Sequence, residues 1–235
     1  MGWLRRGSPS ASPVSEGPAA TPPDVEHAAP GLKQAVDRLP RPGAAVLDLG
    51  PALSINVAFF RRLQAKLNVL DFETTLADAG LWDAPKKLGP WESALPAALA
   101  LALEQRFDLV LAWDFPNYLG RERWPVVARQ LVAHLSPGGM VHLLARSGKQ
   151  MPAVPGHFRI TAAESVREEL RSGDILEPPR FSHGEIERLN PGLAAARSFL
   201  DKHGVQEFLL EHASELNLPP RPVAQPRKPR SYYPG

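Results

Sequence analysis

The sequence contains no cysteine, which excludes disulfides, thiolate metal sites and a cysteine nucleophile together. It has no apolar run of the roughly 18 residues that a membrane-spanning helix requires. The basic start, Met1 to Arg6, is not followed by an apolar stretch of signal-peptide length. Histidine is sparse and scattered, with no two at ligand spacing beside acids, so no metal site is expected. These absences together suit a reducing, cytoplasmic setting. Excess charge is also small, a formal net charge of +2, and it is unevenly placed. Residues 1–30 hold two arginines against Glu16, Asp24 and Glu26, whereas 218–235 hold Arg221, Arg227, Lys228 and Arg230 with no acid. The body between them lacks the basic bias of a nucleic-acid-binding domain. Only the tail, with Tyr232 and Tyr233, could touch an acidic partner or nucleic acid.

What is present, 43% hydrophobic and 22% charged residues in a chain of 235, suits one globular domain with loose ends. Residues 1–30, rich in Pro, Ser and Ala, read as a disordered segment. Residues 218–235 read as a basic, Pro-rich disordered tail leaning to polyproline II. The domain is expected over 31–217. Ala44–Gly50, Leu67–Asp71, Phe107–Trp113 and Met140–Ala145 are nearly continuous apolar runs, the pattern of strands buried on both faces. Helical spacing falls between them. Leu32, Val36 and Leu39 share one face, and Val57, Phe60 and Leu63 another. Ser93–Glu104 is expected as a helix with Pro96 near its first turn, and Trp124–Leu135 as a helix ended by Ser136-Pro-Gly-Gly139. Residues 72–90 show no convincing strand.

Ser182-His-Gly-Glu185 has the spacing of a capping box and predicts a short helix ending before Pro191. Ala195–Leu200 and Val205–Leu210 are joined by only Asp201–Gly204, too short for a helical crossover, so as strands they must be antiparallel neighbours. The expected fold class is α/β: a doubly wound, mostly parallel sheet with helices on both faces and a C-terminal antiparallel β-hairpin.

The first strand closes on Asp48-Leu-Gly50 and a helix follows. A strand entering a helix through a glycine turn offers backbone N–H groups and a helix N-terminus to a ligand. Asp71 closes the next strand, where an acid can accept from both hydroxyls of an adenosine ribose; Glu73 is its near substitute. Asn117 and Tyr118 follow the Phe107–Trp113 strand, at the carboxyl end where open α/β sheets place their ligands. No histidine base is evident, and His142, mid-strand, reads as structural. The catalytic residues are therefore unassigned.

The stretch 45–54, Ala-Val-Leu-Asp-Leu-Gly-Pro-Ala-Leu-Ser, resembles the first motif of class I S-adenosylmethionine-dependent methyltransferases, an acid followed by alternating glycines. Asp48 and Gly50 match; Ala52 and Ser54 stand where the second and third glycines belong, and Pro51 removes a donor. Phe107–Asp114 resembles that family's fourth strand, Leu135–Met140 its turn into the fifth, and the terminal hairpin its sixth and seventh. The resemblance implies S-adenosylmethionine as cofactor and methyl transfer to a small-molecule or protein acceptor. It implies that Gly50 and Ala52 pass under the methionine part and that Asp48 holds its ammonium group, directly or through water. Asp71 would bind ribose, and Trp113 and Asp114 would flank the adenine or the reacting methyl. Asp114-Phe-Pro-Asn-Tyr118 does not match the Asp/Asn-Pro-Pro-Tyr motif of amino-methylating enzymes, since the aromatic arrives one residue late, and that motif is not carried over. Two further readings stand beside methyl transfer: an inactive methyltransferase-like domain serving as a binding or assembly partner, and a nicotinamide-binding reductase. The hairpin and Asp48 argue against the reductase. Residues 147–181, long for a connection, are expected to form a lid or an acceptor wall.

Overall fold

A computed structural model describes residues 23–83, 88–102 and 104–212. Its centre is one six-stranded sheet. In chain order the strands are β2 (Ala45–Asp48), β3 (Lys66–Val69), β4 (Phe107–Trp113), β5 (Leu135–Arg146), β10 (Leu193–Leu200) and β11 (Val205–His212). In space they run β10-β11-β5-β4-β2-β3. β3, β2, β4 and β5 pair in parallel, and β11 is antiparallel to both β5 and β10. The apolar runs explain the centre: Phe107, Leu109, Val110 and Leu111 are fully buried, as are Val46 and Leu143 on the neighbouring strands. Pro137-Gly-Gly139, expected as a turn before the strand, lies inside β5 as a bulge between Leu135 and Met140, and it works by close packing. A Cβ on Gly139 would lie 2.8 Å from both Phe107 O and Ser136 O, so only glycine lets β5 leave the bulge beside β4.

Two helical layers cover the sheet. α1 (Pro30–Arg38) packs on β5, β10 and β11, and α2 (Ser54–Arg62) on β3. α3 (Phe72–Asp78), α4 (Leu88–Leu99), α5 (Phe115–Ala133) and α6 (His183–Leu189) pack in series on the other side. The capping box at α6 forms as the sequence requires, Ser182 and Glu185 each closing on the other's backbone. No strand occurs between β3 and β4 among the described residues, so β3 is the sheet edge.

Three helices depart from expectation. On α2 the inward residues are Asn56 and Phe60, while Val57 is 44% exposed; the helix turns so that Asn56 faces the end of β2. α4 starts at Leu88 and carries Pro96 inside it, because its buried stripe is Trp91, Leu95 and Leu99, spaced four apart. α5 starts at Phe115, nine residues before Trp124, and tolerates a break at Gly120, whose φ is 69°.

The segment 1–30 also needs correction: Val25–Ala28 is β1. It pairs with β8 (Ser165–Glu169), which pairs with β7 (His157–Ala162), giving a separate antiparallel sheet. A two-residue ribbon, β6 (Met151–Pro152) with β9 (Ile175–Leu176), completes the 147–181 region. Residues 1–22 and the tail 218–235 lie outside the described residues.

A buried chain of charges fastens the small sheet to the large one. Arg146, at the end of β5, donates to Asp114 Oδ2 (2.8 Å from Nε) and to Glu168. Glu168 also meets His27 Nε2 at 3.0 Å, and His27 Nδ1 lies 2.6 Å from Asp201 Oδ2, in the β10–β11 connection. All of these groups are largely or fully buried. Burial by itself lowers the His27 pKa, but the carboxylates of Glu168 and Asp201 outweigh it and the net shift is upward from 6.5. A histidine whose folded pKa exceeds its unfolded value contributes stability below the unfolded value and loses it as pH rises through the folded one. Unfolding free energy is therefore expected to fall as pH rises above about 6.5, and His27→Gln to flatten that slope in urea titrations. A wild-type curve already flat there would rule out a charged His27. Asp114, pushed up to about 6 by burial and by the nearby Glu168 carboxylate against the pull of Arg146, gives a slope of the same sign at lower pH. Glu168 and Asp201, both held below the usual carboxylate range by the donors around them, act only in acid.

Candidate functional site

The carboxyl ends of β2, β3 and β4 meet at a cavity of about 380 Å3. It lies where the chain leaves β2 to β3 on one side and β4 on the other, the switch point at which open α/β sheets leave a crevice. Gly50, Asp71, Trp113 and Asp114 all line it. Four of the six expected cofactor residues are thus brought together; Asp48 and Ala52 are not.

Asp48 is fully buried beneath the cavity floor. Its Oδ1 accepts from Gly50 N at 2.9 Å and from Trp113 Nε1 at 2.6 Å, and its Oδ2 from Asn56 Nδ2 at 3.2 Å. The expected ammonium ligand is instead a strut with three internal donors. Burial pushes its carboxyl pKa up, and the bonds from Trp113, Gly50 and Asn56 pull the other way. The closure comes from Trp113, whose φ of 46° turns the indole back over the end of β2. The need for glycine at position 50 has the same origin: a Cβ there would lie 3.0 Å from Trp113 Nε1 and 3.1 Å from Asp48 Oδ1. Ala52 is exposed and borders a shallow depression with Ser54, Val57 and Arg61 on the outside of α2. The alternating-glycine pattern fails there because the chain has already turned out of the cavity.

Asp71 stands opposite Gly50, its N–H donating to Gly50 O at 3.3 Å. It caps α3 by accepting from Thr74 N at 3.3 Å, with φ 45°. Asp114 is 1% exposed, and its Oδ1 has no hydrogen-bond partner; a buried acceptor left open costs about 1–3 kcal/mol. Asn117 is internally committed, donating to Asp114 O and Leu144 O and accepting from Arg146 N. Tyr118 donates to Val154 O at 3.1 Å. Both border a second cavity and not the first. His142 is buried against Glu207, 2.7 Å away, and is structural as expected.

The far wall of the first cavity comes from the 147–181 region. Phe158 of β7 stacks on Trp113 at 5.1 Å with rings 8° from parallel. Asn56 ties the same strand down, donating to Phe158 O and accepting from Ile160 N. His157 and Arg171 also line the cavity, and Arg171 pairs with Glu73 at 2.5 Å. The length of 147–181 was the only sequence signal for this wall. The Arg171–Glu73 pair, 98 positions apart, left none.

No protein-family model and no curated protein sequence matches the chain. Among solved structures, a 1,6-didemethyltoxoflavin-N1-methyltransferase from Burkholderia thailandensis, with S-adenosylhomocysteine bound, is 16% identical, covering 77% of this chain and 78% of its own with a TM-score of 0.44. An S-adenosylmethionine-dependent methyltransferase from Clostridium acetobutylicum is 13% identical, covering 78% and 91%, with a TM-score of 0.43. The glycopeptide N-methyltransferase MtfA, complexed with S-adenosylmethionine, is 16% identical, covering 77% and 94%, with a TM-score of 0.40. The chain's own sheet is a doubly wound, mostly parallel α/β sheet in which only β11 runs antiparallel, with no strand between β3 and β4 among the described residues.

Proposed function

We propose that the first cavity binds S-adenosylmethionine and that the protein transfers its methyl group to a small-molecule or protein acceptor. The observation that carries this reading is the pairing of Asp71, at the end of β3, with the unpartnered buried Oδ1 of Asp114, at the end of β4, in one cavity at the switch point. Asp71 suits the ribose hydroxyls, and the open Asp114 oxygen suits the exocyclic amine of adenine, with Phe115 and Ala77 as apolar walls. The adenosine end therefore fits the residues present. The methionine end departs from the family pattern, because Asp48 is fully buried and does not line the cavity. Glu73, on the cavity wall, is the remaining carboxylate for the ammonium group, with Arg171 beside it. When bound, the cofactor supplies an electrophilic methyl, and the chain's task is to orient it and exclude water.

Calorimetric titration with S-adenosylmethionine and S-adenosylhomocysteine tests the placement. Asp71→Ala is expected to weaken both by about 10- to 100-fold, the loss of one charged hydrogen-bonding group. Its melting point should fall only by the equivalent of a helix cap, about 1 kcal/mol. Failure of the wild type to bind either ligand at millimolar concentration, or equal binding by Asp71→Ala, would overturn it.

A further inference from the structure

The second cavity, about 460 Å3, adjoins the first. Phe115 and Pro155 line one; Tyr118 and Ala153 line the other. The partition is thus the two stretches 115–118 and 153–155, joined by the Tyr118–Val154 hydrogen bond. One wall is aromatic, with the Trp82 and Tyr118 rings 6.3 Å apart and tilted by 32°. Met151 and Pro178 add apolar surface. The volume lies within the 300–1,000 Å3 typical, in round terms, of about all small-molecule sites.

One cation borders this space. Among the described residues Arg123 donates only to backbone carbonyls: Trp82 O at 3.2 Å, and Leu119 O and Tyr118 O each at 3.4 Å. Its guanidinium lies over the Trp91 ring, 5.3 Å from the centroid. The ion pairs formed by other arginines of this region, Arg121 with Glu185 and Arg129 with Glu92, do not include it. Three long bonds to neutral acceptors leave part of the five-donor fork unused. Partial burial withdraws water from the charge and lowers the Arg123 pKa, against the weaker pull of the neighbouring Glu122 carboxylate, which is solvent-exposed. The acid that lines the cavity, Glu177, is 78% exposed and 3.7 Å from Arg180, so solvent screens it. A partly desolvated cation whose nearby carboxylate is exposed and makes no hydrogen bond to it recovers free energy when an anion arrives, and a planar fork matches a carboxylate.

We propose that this cavity is a ligand site that takes a flat small molecule bearing a carboxylate, the ring against Trp82 and Tyr118 and the carboxylate on Arg123. This binding does not rest on the reading of the first cavity. The probes are 2-naphthoate and its neutral isostere 2-naphthamide, titrated into the full chain and followed by tryptophan fluorescence. Naphthoate is expected to bind at least tenfold more tightly than naphthamide. Arg123→Gln is expected to remove that preference while leaving naphthamide unchanged. Should Arg123→Gln fail to fold, Leu176→Asp carries the test: Leu176 borders the cavity and is 46% exposed, and a carboxylate there should weaken naphthoate at least threefold and spare naphthamide. Equal affinity for the two probes, indifference of naphthoate to the variants, or no naphthoate binding at millimolar concentration overturns the proposal. S-adenosylhomocysteine titrated into the same samples keeps the two readings apart, since its failure with naphthoate still bound removes only the cofactor assignment.

Discussion

Arg146→Met is expected to destabilise the protein by about 3–5 kcal/mol, the range for breaking a buried ion pair by removing one partner. The guanidinium sits between Asp114 and Glu168, which are each 1% exposed. Methionine fills much of the volume but leaves two buried carboxylates with no cation between them. The loss should shrink on lowering the pH. Asp114 is already pushed up to about 6 with Arg146 present, and without that cation its carboxyl protonates more readily still, relieving the repulsion. Urea unfolding of the variant at pH 5 and pH 8 measures both effects. A loss below 1 kcal/mol, or one that does not depend on pH, would show that the charge chain does not hold the two sheets together. Adding Asp114→Asn to Arg146→Met should recover part of the stability, because the double variant buries one charge fewer.

Asp48→Asn, although isosteric, is expected to cost about 3 kcal/mol. All three partners of Asp48 are donors: the backbone N–H of Gly50, the indole of Trp113 and the amide of Asn56. An asparagine turns one acceptor oxygen into an NH2 group that faces a donor, and no flip of the amide removes the conflict. Affinity for S-adenosylhomocysteine, measured well below the melting temperature, should stay within threefold of wild type. The opposite pattern, full stability with a tenfold or greater loss of affinity, would restore Asp48 as a ligand of the cofactor's ammonium group. Thermal melts and calorimetry on one protein preparation decide between them.

β2, β4 and β5 were legible because burial on both faces leaves one apolar run per strand, whereas β3, at the sheet edge, is only partly buried; the α6 cap was legible because a capping box is complete within four residues. The role of Asp48 was not legible. An acid followed by a glycine looks the same whether its oxygens face a ligand or an indole 65 positions away. The start of α5 was hidden by Pro116, Gly120 and Pro125, which read as breakers, and one of them is indeed a break inside the element. β1 was hidden by its company: Val25-Glu-His-Ala28 sits among prolines and alanines, and its partners arrive some 140 residues later. Of the candidate site, Gly50 and Asp71 followed from strand ends. Phe158 and Arg171 entered only through tertiary pairing.

The fastening of the small sheet bears on how the protein is made. The wall of the first cavity hangs on β1, near the start of the described chain, and on Asp201, near its end, with His27 bridging 174 positions between them. A ribosome-bound chain can assemble the parallel strands early, yet the contact from His27 to Asp201 that secures the wall forms only once the β10–β11 connection has been synthesised. A chain cut at residue 31, the boundary that composition alone recommends, would keep every strand of the large sheet and lose the strand and histidine that secure the wall.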